Sequence, residues 1–124
     1  SERALSQWSF KYYHAEIKAL MKEKKLKSAK KLLDQALKGD RSRWELWELS
    51  CWTEGKLNHY DLSKKAYLEA LKTQPCSPLL YLTILEHSQF EEKSAIFKKA
   101  LLYCPQHPQL KKLFEEFSAQ QVRT

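Results

Sequence analysis

Glycine is nearly absent from this sequence: Gly39 and Gly55 are the two in 124 residues. A loop that wraps phosphates in backbone amides is built on glycine, so nucleotide cradling has little material. No nucleophile elbow and no HExxH phrase occurs either, and no enzyme is expected. Cysteine is scarce and odd in number. Cys51, Cys76 and Cys104 stand far apart, without a CxxC pair or a histidine at ligand spacing. The usual zinc patterns are therefore missing, and free thiols in a reducing compartment are expected. No apolar run approaches the roughly 18 residues of a membrane helix, and no charged-then-apolar leader suggests secretion. The chain starts without Met and stops at Gln-Val-Arg-Thr without a visible cap. Both ends are expected to be cuts in a longer protein. Neither a cofactor, a metal nor a small-molecule substrate is expected.

What the chain has is a nine-residue phrase written three times. Residues 29–37 read AKKLLDQAL, 63–71 read SKKAYLEAL and 93–101 read KSAIFKKAL. From Ala36 to Ala70 is 34 residues, and from Ala70 to Ala100 is 30. A period of that size marks stacked helix pairs. The punctuation repeats too. Pro75 and Pro105 lie five residues after the phrase's last alanine, and Pro78 and Pro108 lie eight after it. A closed bundle has no reason to reuse those offsets, whereas stacked equivalent units do.

Lys, Leu, Glu and Ala dominate, which favours helix. The first helix is predicted over 5–23, with Trp8, Tyr12, Ala15, Ala19 and Leu20 as its apolar stripe. The second spans 27–38, with Gly39 just past it as a left-handed terminus. Ser42 and Glu45 form a capping box for the third, which ends at Gly55. Asn58 opens the fourth, which runs to Thr73. Ser77 caps the fifth, with Pro78 at its first position, through to His87. Ser88 and Glu91 form a second box, opening a sixth helix that ends near Cys104. His107-Pro108 opens a seventh, with Leu110, Leu113, Phe114 and Phe117, to about Gln120. The expected fold is all-α: seven helices in three antiparallel pairs plus one, coiled as a right-handed α-α superhelix. Its units are 5–39, 42–75 and 77–105, with a partial one at 107–121. Trp8 and Phe10 at one end, and Phe114 and Phe117 at the other, are expected to lie exposed without cover from flanking repeats or a second copy.

These residues resemble tetratricopeptide repeats and, more closely, their half-a-TPR (HAT) relatives. Trp47, Ser63, Tyr67, Ala70 and Pro75 stand where the tetratricopeptide pattern places its Trp, small residue, aromatic, second small residue and Pro. Glu16, Glu54 and Glu86 stand as the glutamates ending the first helix of each HAT unit. The repeated phrase looks like the HAT second helix, with Lys in place of Arg. The third unit is four residues short and has Lys93 at a small-residue position, so its inter-helix loop must be tight. The resemblance implies a protein-interaction scaffold of a nuclear RNA-processing or RNA-surveillance assembly: intracellular, nuclear rather than cytoplasmic, with protein partners or self-association. Two further readings stand beside it, a tetratricopeptide-type peptide adaptor outside RNA metabolism and a non-specific nucleic-acid binder.

The phrase itself is expected to be frame. Ala36, Ala70 and Ala100 are its close-packing points, and Leu33, Tyr67 and Phe97 are the wedges, with Trp47, Pro75 and Pro105 as further repeat positions. Function is expected on the other helix of each pair. Trp52 lies five residues past Trp47, about 140° round the helix, so it faces away from whatever Trp47 packs on. Glu45, Glu48, Trp52, Leu82 and Glu86 are the expected lining of a concave face, with Trp52 as anchor. The second candidate is the basic run Lys18, Lys22, Lys24, Lys25, Lys27, Lys30 and Lys31. Lys and Arg number 22 against 15 Asp and Glu, a net charge of +7 that fits an acidic partner or nucleic acid. The bland reading of the run is a solvated face of two helices. No aromatic interleaving suits base stacking. Any RNA complex through this run should weaken steeply as salt rises in a titration with unrelated RNAs, with little sequence preference; a salt-insensitive, sequence-selective complex would contradict that.

Overall fold

The computed structural model describes residues 7–123, with side chains from Ser9 to Val122. Among them are seven helices and no strand: α1 Gln7–Lys22, α2 Leu26–Gly39, α3 Trp44–Lys56, α4 Tyr60–Thr73, α5 Pro78–His87, α6 Phe90–Tyr103 and α7 Pro108–Arg123. The connections run to two to four residues, and each helix packs on the one that follows it. The substantial helix contacts join each helix to the next or next but one, and α3 touches α1, α2, α4 and α5. This is an all-α, helical-repeat-like fold.

The repeat is visible in geometry as well as in letters. Ala36, Ala70 and Ala100 are fully buried, and Leu33, Tyr67 and Phe97 nearly so. On the other helix of each pair Leu46, Leu80 and Leu110, at the same offsets, also have no exposure. Two turns match atom for atom. Lys24 and Asn58, 34 residues apart, both sit at φ 64°. The next amide reaches back five residues in each, Lys25 N to Leu20 O at 2.9 Å and His59 N to Glu54 O at 2.8 Å. These bonds close a Schellman-type helix end, which satisfies carbonyls the helix leaves free. Trp47 and Tyr81 also match: Nε1 of Trp47 donates to Arg41 O at 2.8 Å, and Tyr81 Oη to Pro75 O at 2.6 Å. Each aromatic pins the turn leading into its own helix.

Ser63 holds the second pair together. Its hydroxyl donates to Cys51 O at 2.8 Å, with the Cys51 thiol 3.3 Å away, both residues buried. The third pair departs as its shortness requires. Two residues, 88–89, join α5 to α6. In place of a left-handed turn, the ammonium of Lys93 and the hydroxyl of Ser88 both donate to Leu85 O near the α5 terminus. A cation there also meets the negative end of the helix dipole.

Several local expectations are corrected. The buried stripe of α1 is Phe10 and Ile17, with Tyr13, Leu20 and Met21 packed beside it. Tyr12 is 60% exposed, and Ala15 and Ala19 face solvent; the side chain of Trp8 lies outside the described residues. Both stripes have helical spacing, but the expected one has alanine at two places, and burial rewards apolar area. Gly39 is the last residue of α2, and the chain leaves through extended Asp40. Ser42 caps nothing: its amide and hydroxyl both donate to Asp40 Oδ1, at 2.9 and 2.6 Å, and α3 starts two residues later behind Arg43. Aspartate is the better local acceptor, so the turn forms around it. Ser88 likewise turns back to Leu85, leaving α6 to start behind Gln89. Asn58 ends a helix instead of opening one, because its short amide side chain tolerates positive φ. Ser77 does cap α5, accepting from Leu80 N at 3.3 Å with Pro78 at the first turn.

The ends differ from expectation as well. Phe10 is buried, with the Arg43 guanidinium 4.5 Å from its ring centre. Phe117 is buried between Phe90 and Phe97, each at 5.2 Å. Of Phe10, Phe114 and Phe117, Phe114 stays exposed, at 37%.

Gly55 is the penultimate residue of α3, one short of the helix end, and is buried. Its value is a missing side chain. A Cβ there would stand 2.3 Å from His87 Cγ and 2.7 Å from its Cβ, so the imidazole of α5 seats directly on the α3 backbone. Gly55→Ala gains about 1 kcal/mol of helix propensity but meets overpacking of about 1–3 kcal/mol. It should destabilise the protein in denaturant unfolding, yet stabilise it by about 0.5–1 kcal/mol when made on a His87→Gly background, which removes the Cβ of residue 87 as well as the ring. The same effect in both backgrounds would refute the seating.

Candidate protein-binding groove

The odd-numbered helices share one lined face. A cavity of about 300 Å³ is bounded by Met21 of α1, Glu48, Leu49 and Trp52 of α3, and Leu79, Leu82, Thr83 and Glu86 of α5. Each set repeats at three and four residues, which keeps it on one side of its helix. A second cavity, about 410 Å³, continues between α5 and α7 and includes Leu82, Glu86, Gln109, Leu113, Glu116 and Phe117, with Lys93 and Phe97 from α6. Leu82 and Glu86 belong to both, so the two adjoin as one groove.

The lining follows the repeat. Leu49, Thr83 and Leu113 are equivalent by the 34- and 30-residue offsets, as are Trp52, Glu86 and Glu116. Glu45, Leu79 and Gln109 form a third series, but Glu45 lines neither cavity and acts on Glu48 and His14 through its charge. Thus the structure brings Glu48, Trp52, Leu82 and Glu86 together and leaves Glu45 aside. Met21, Leu79, Thr83, Leu113 and Glu116 were missed from sequence. Carrying the phrase's offsets onto Trp52 and Leu49 would have found Thr83, Leu113 and Glu116.

Trp52 is half-buried. Its ring meets His87 edge-on at 6.4 Å and carries the Lys56 ammonium 5.4 Å from its centre. Lys56 also pairs with Glu86 at 2.6 Å, and this bond, helped by the charge of His87, holds the Glu86 carboxyl below the usual range against a partial burial cost. Glu48 is the opposite case. Burial raises its carboxyl, Glu45 adds to the rise and Lys18 opposes it. Its Oε2 is buried without a hydrogen bond among the described residues. Burial also lowers the His87 imidazole, against the pull of Glu86 and with a push from Lys56.

One lysine of the basic run leaves the exposed face. Lys30 turns inward to Glu54, at 2.9 and 3.2 Å to its two oxygens. Glu54 is buried and also meets His59 Nδ1 at 2.8 Å, tying α2, α3 and the turn before α4 together. Of the three glutamates at the HAT-like position, Glu54 is the buried one; Glu16 and Glu86 are exposed. Lys25 pairs with Glu23, and Lys18 influences the groove side through Glu48. Lys22, Lys24, Lys27 and Lys31 are exposed around the first turn.

Cys51 is buried, its thiol pushed up to about 11 by desolvation, which makes it a poor nucleophile. Cys104 is buried and Cys76 exposed, all three free. Among the described residues no three His, Cys, Asp or Glu side chains group as metal ligands would, and no helix is long and apolar enough to cross a membrane. No protein-family model and no curated protein matches the chain.

His14 and His87 are both lowered, chiefly by burial; Lys18 adds to the fall at His14 and Glu45 opposes it. Below about pH 6.5 the unfolded chain therefore binds more protons than the folded one, and stability falls as pH falls through that range. Thermal unfolding midpoints should drop between pH 7.5 and 5.5, and a His14→Gln/His87→Gln variant should flatten the profile. An unchanged slope in that variant would assign the effect elsewhere.

Proposed function

We propose that this chain is a non-enzymatic protein-interaction scaffold whose partner lies in the groove along α1, α3, α5 and α7. The observation that carries this reading is the reuse of equivalent positions to line one continuous face, with Trp52 half-exposed in it. Stacked units characteristically present such extended surfaces, and a part-buried Trp is a common anchor of binding energy. The seven helices are read as a stretch of right-handed superhelix of the HAT/TPR kind. The HAT-like phrase supports placement in a nuclear RNA-processing or RNA-surveillance assembly. Commitment of Lys30 to Glu54 takes one lysine out of the basic run, and the groove lies apart from that run, which favours a protein partner over direct nucleic-acid binding.

Quantitative affinity purification of the full-length protein tests this. Trp52→Ala and Leu82→Glu should each reduce recovery of stable partners at least about tenfold, a loss of about 1.4 kcal/mol or more. Leu102→Ala, at an exposed α6 position outside the groove, should leave recovery unchanged. Full recovery by groove variants that keep the helical circular-dichroism signal would end the reading. Partners without RNA-processing roles would move the protein to the adaptor alternative.

A further inference from the structure

We propose that the cavity between Glu48 and Trp52 receives an arginine side chain presented by the protein partner. This deepens the scaffold reading and rests on it. The first ground is charge. Two acids, Glu48 and Glu86, line the cavity together with the indole, and one is already answered: Glu86 is bonded to Lys56. Glu48 is not. No hydrogen bond reaches its buried Oε2, and no ion pair forms on it among the described residues. Lys18 of α1 acts on it through the field, while Glu45, one turn earlier on α3, adds like charge. A buried acceptor without a donor costs about 1–3 kcal/mol, so the free protein holds an unmet demand at this point.

The second ground is shape and surface. Glu48 and Trp52 are four residues apart on α3 and so are neighbours on its groove side. Met21, Leu49, Leu79 and Leu82 give the cavity apolar walls, suited to the methylene stem of a long side chain. The space of about 300 Å³ admits one such side chain with its head. A guanidinium fits the pair better than an ammonium does. It is planar, stacks on an aromatic face and gives a carboxylate two parallel bonds. The indole already holds one cation, Lys56, which shows that its ring is placed to do so.

The test uses the whole 124-residue chain and Nα-acetyl-arginine amide as probe, followed by nuclear magnetic resonance. Saturable shifts are expected at the Trp52 indole N–H and the Leu82 methyls. Nα-acetyl-citrulline amide, equal in shape but uncharged, should bind at least about tenfold more weakly, as should the arginine probe to Glu48→Gln. Equal binding of arginine and citrulline, or no loss in Glu48→Gln, would overturn the assignment. Equal binding of the lysine analogue would overturn it too, by leaving a plain cation site. Concentration-dependent dimerisation abolished by Glu48→Gln would put a second copy in the cavity, with the same consequence. Partners that are lost with Trp52→Ala but kept with Glu48→Gln would remove the arginine and leave the scaffold standing. Partners indifferent to Trp52→Ala, beside intact arginine binding, would remove the scaffold and with it the protein source of the arginine.

Discussion

The complete burial of Ala36, Ala70 and Ala100 is the constraint on which the rest of the packing depends. These alanines have no exposed surface, and each belongs to the second helix of its pair. A larger side chain at such a buried place would force neighbours off their rotamers. Leu33, Tyr67 and Phe97, one turn earlier, are buried on the same side of the second helix. Across from them Leu46, Leu80 and Leu110 turn one side of the odd-numbered helices α3, α5 and α7 into the core. Their opposite side becomes the groove. Frame and groove are two sides of one repeat.

The units are copies with local repairs. Where the connection is long enough, the helix ends in a left-handed residue and two backbone bonds, as at Lys24 and Asn58. Where four residues are missing, side chains satisfy the helix end instead, and Lys93 and Ser88 both serve Leu85 O. Burial lowers the Lys93 amine, so holding that charge inside the fold is costly. It is tolerated because the helix terminus offers a carbonyl and a negative dipole end.

The sequence carried the architecture well and the local chemistry less well. Seven helices, their order and the buried phrase were legible because each rests on a pattern summed over many residues. Helix ends were less legible, because they turn on competition among a few polar atoms. Ser42 looks like a cap until Asp40 takes its hydrogen bonds, and the left-handed turn at Lys24 has no letter that announces it. In α1 two stripes shared one period, and only volume separated them. At the groove, Trp52 was legible as the aromatic that could not share the Trp47 face. Leu113 and Glu116 were legible too, but only by extending the repeat beyond the phrase that revealed it.

The seat of His87 on Gly55 has a consequence for how such a chain can change. Equivalent units are often imagined as interchangeable parts, free to be duplicated or reordered. At this joint they are not. The imidazole of one unit requires a residue without a side chain in the unit before it, and the chain's other glycine, Gly39, sits on a second helix, outside that role. A duplicated third unit, placed behind anything but the second, would arrive with a plug and no socket. The order of these modules is written into one missing methyl group.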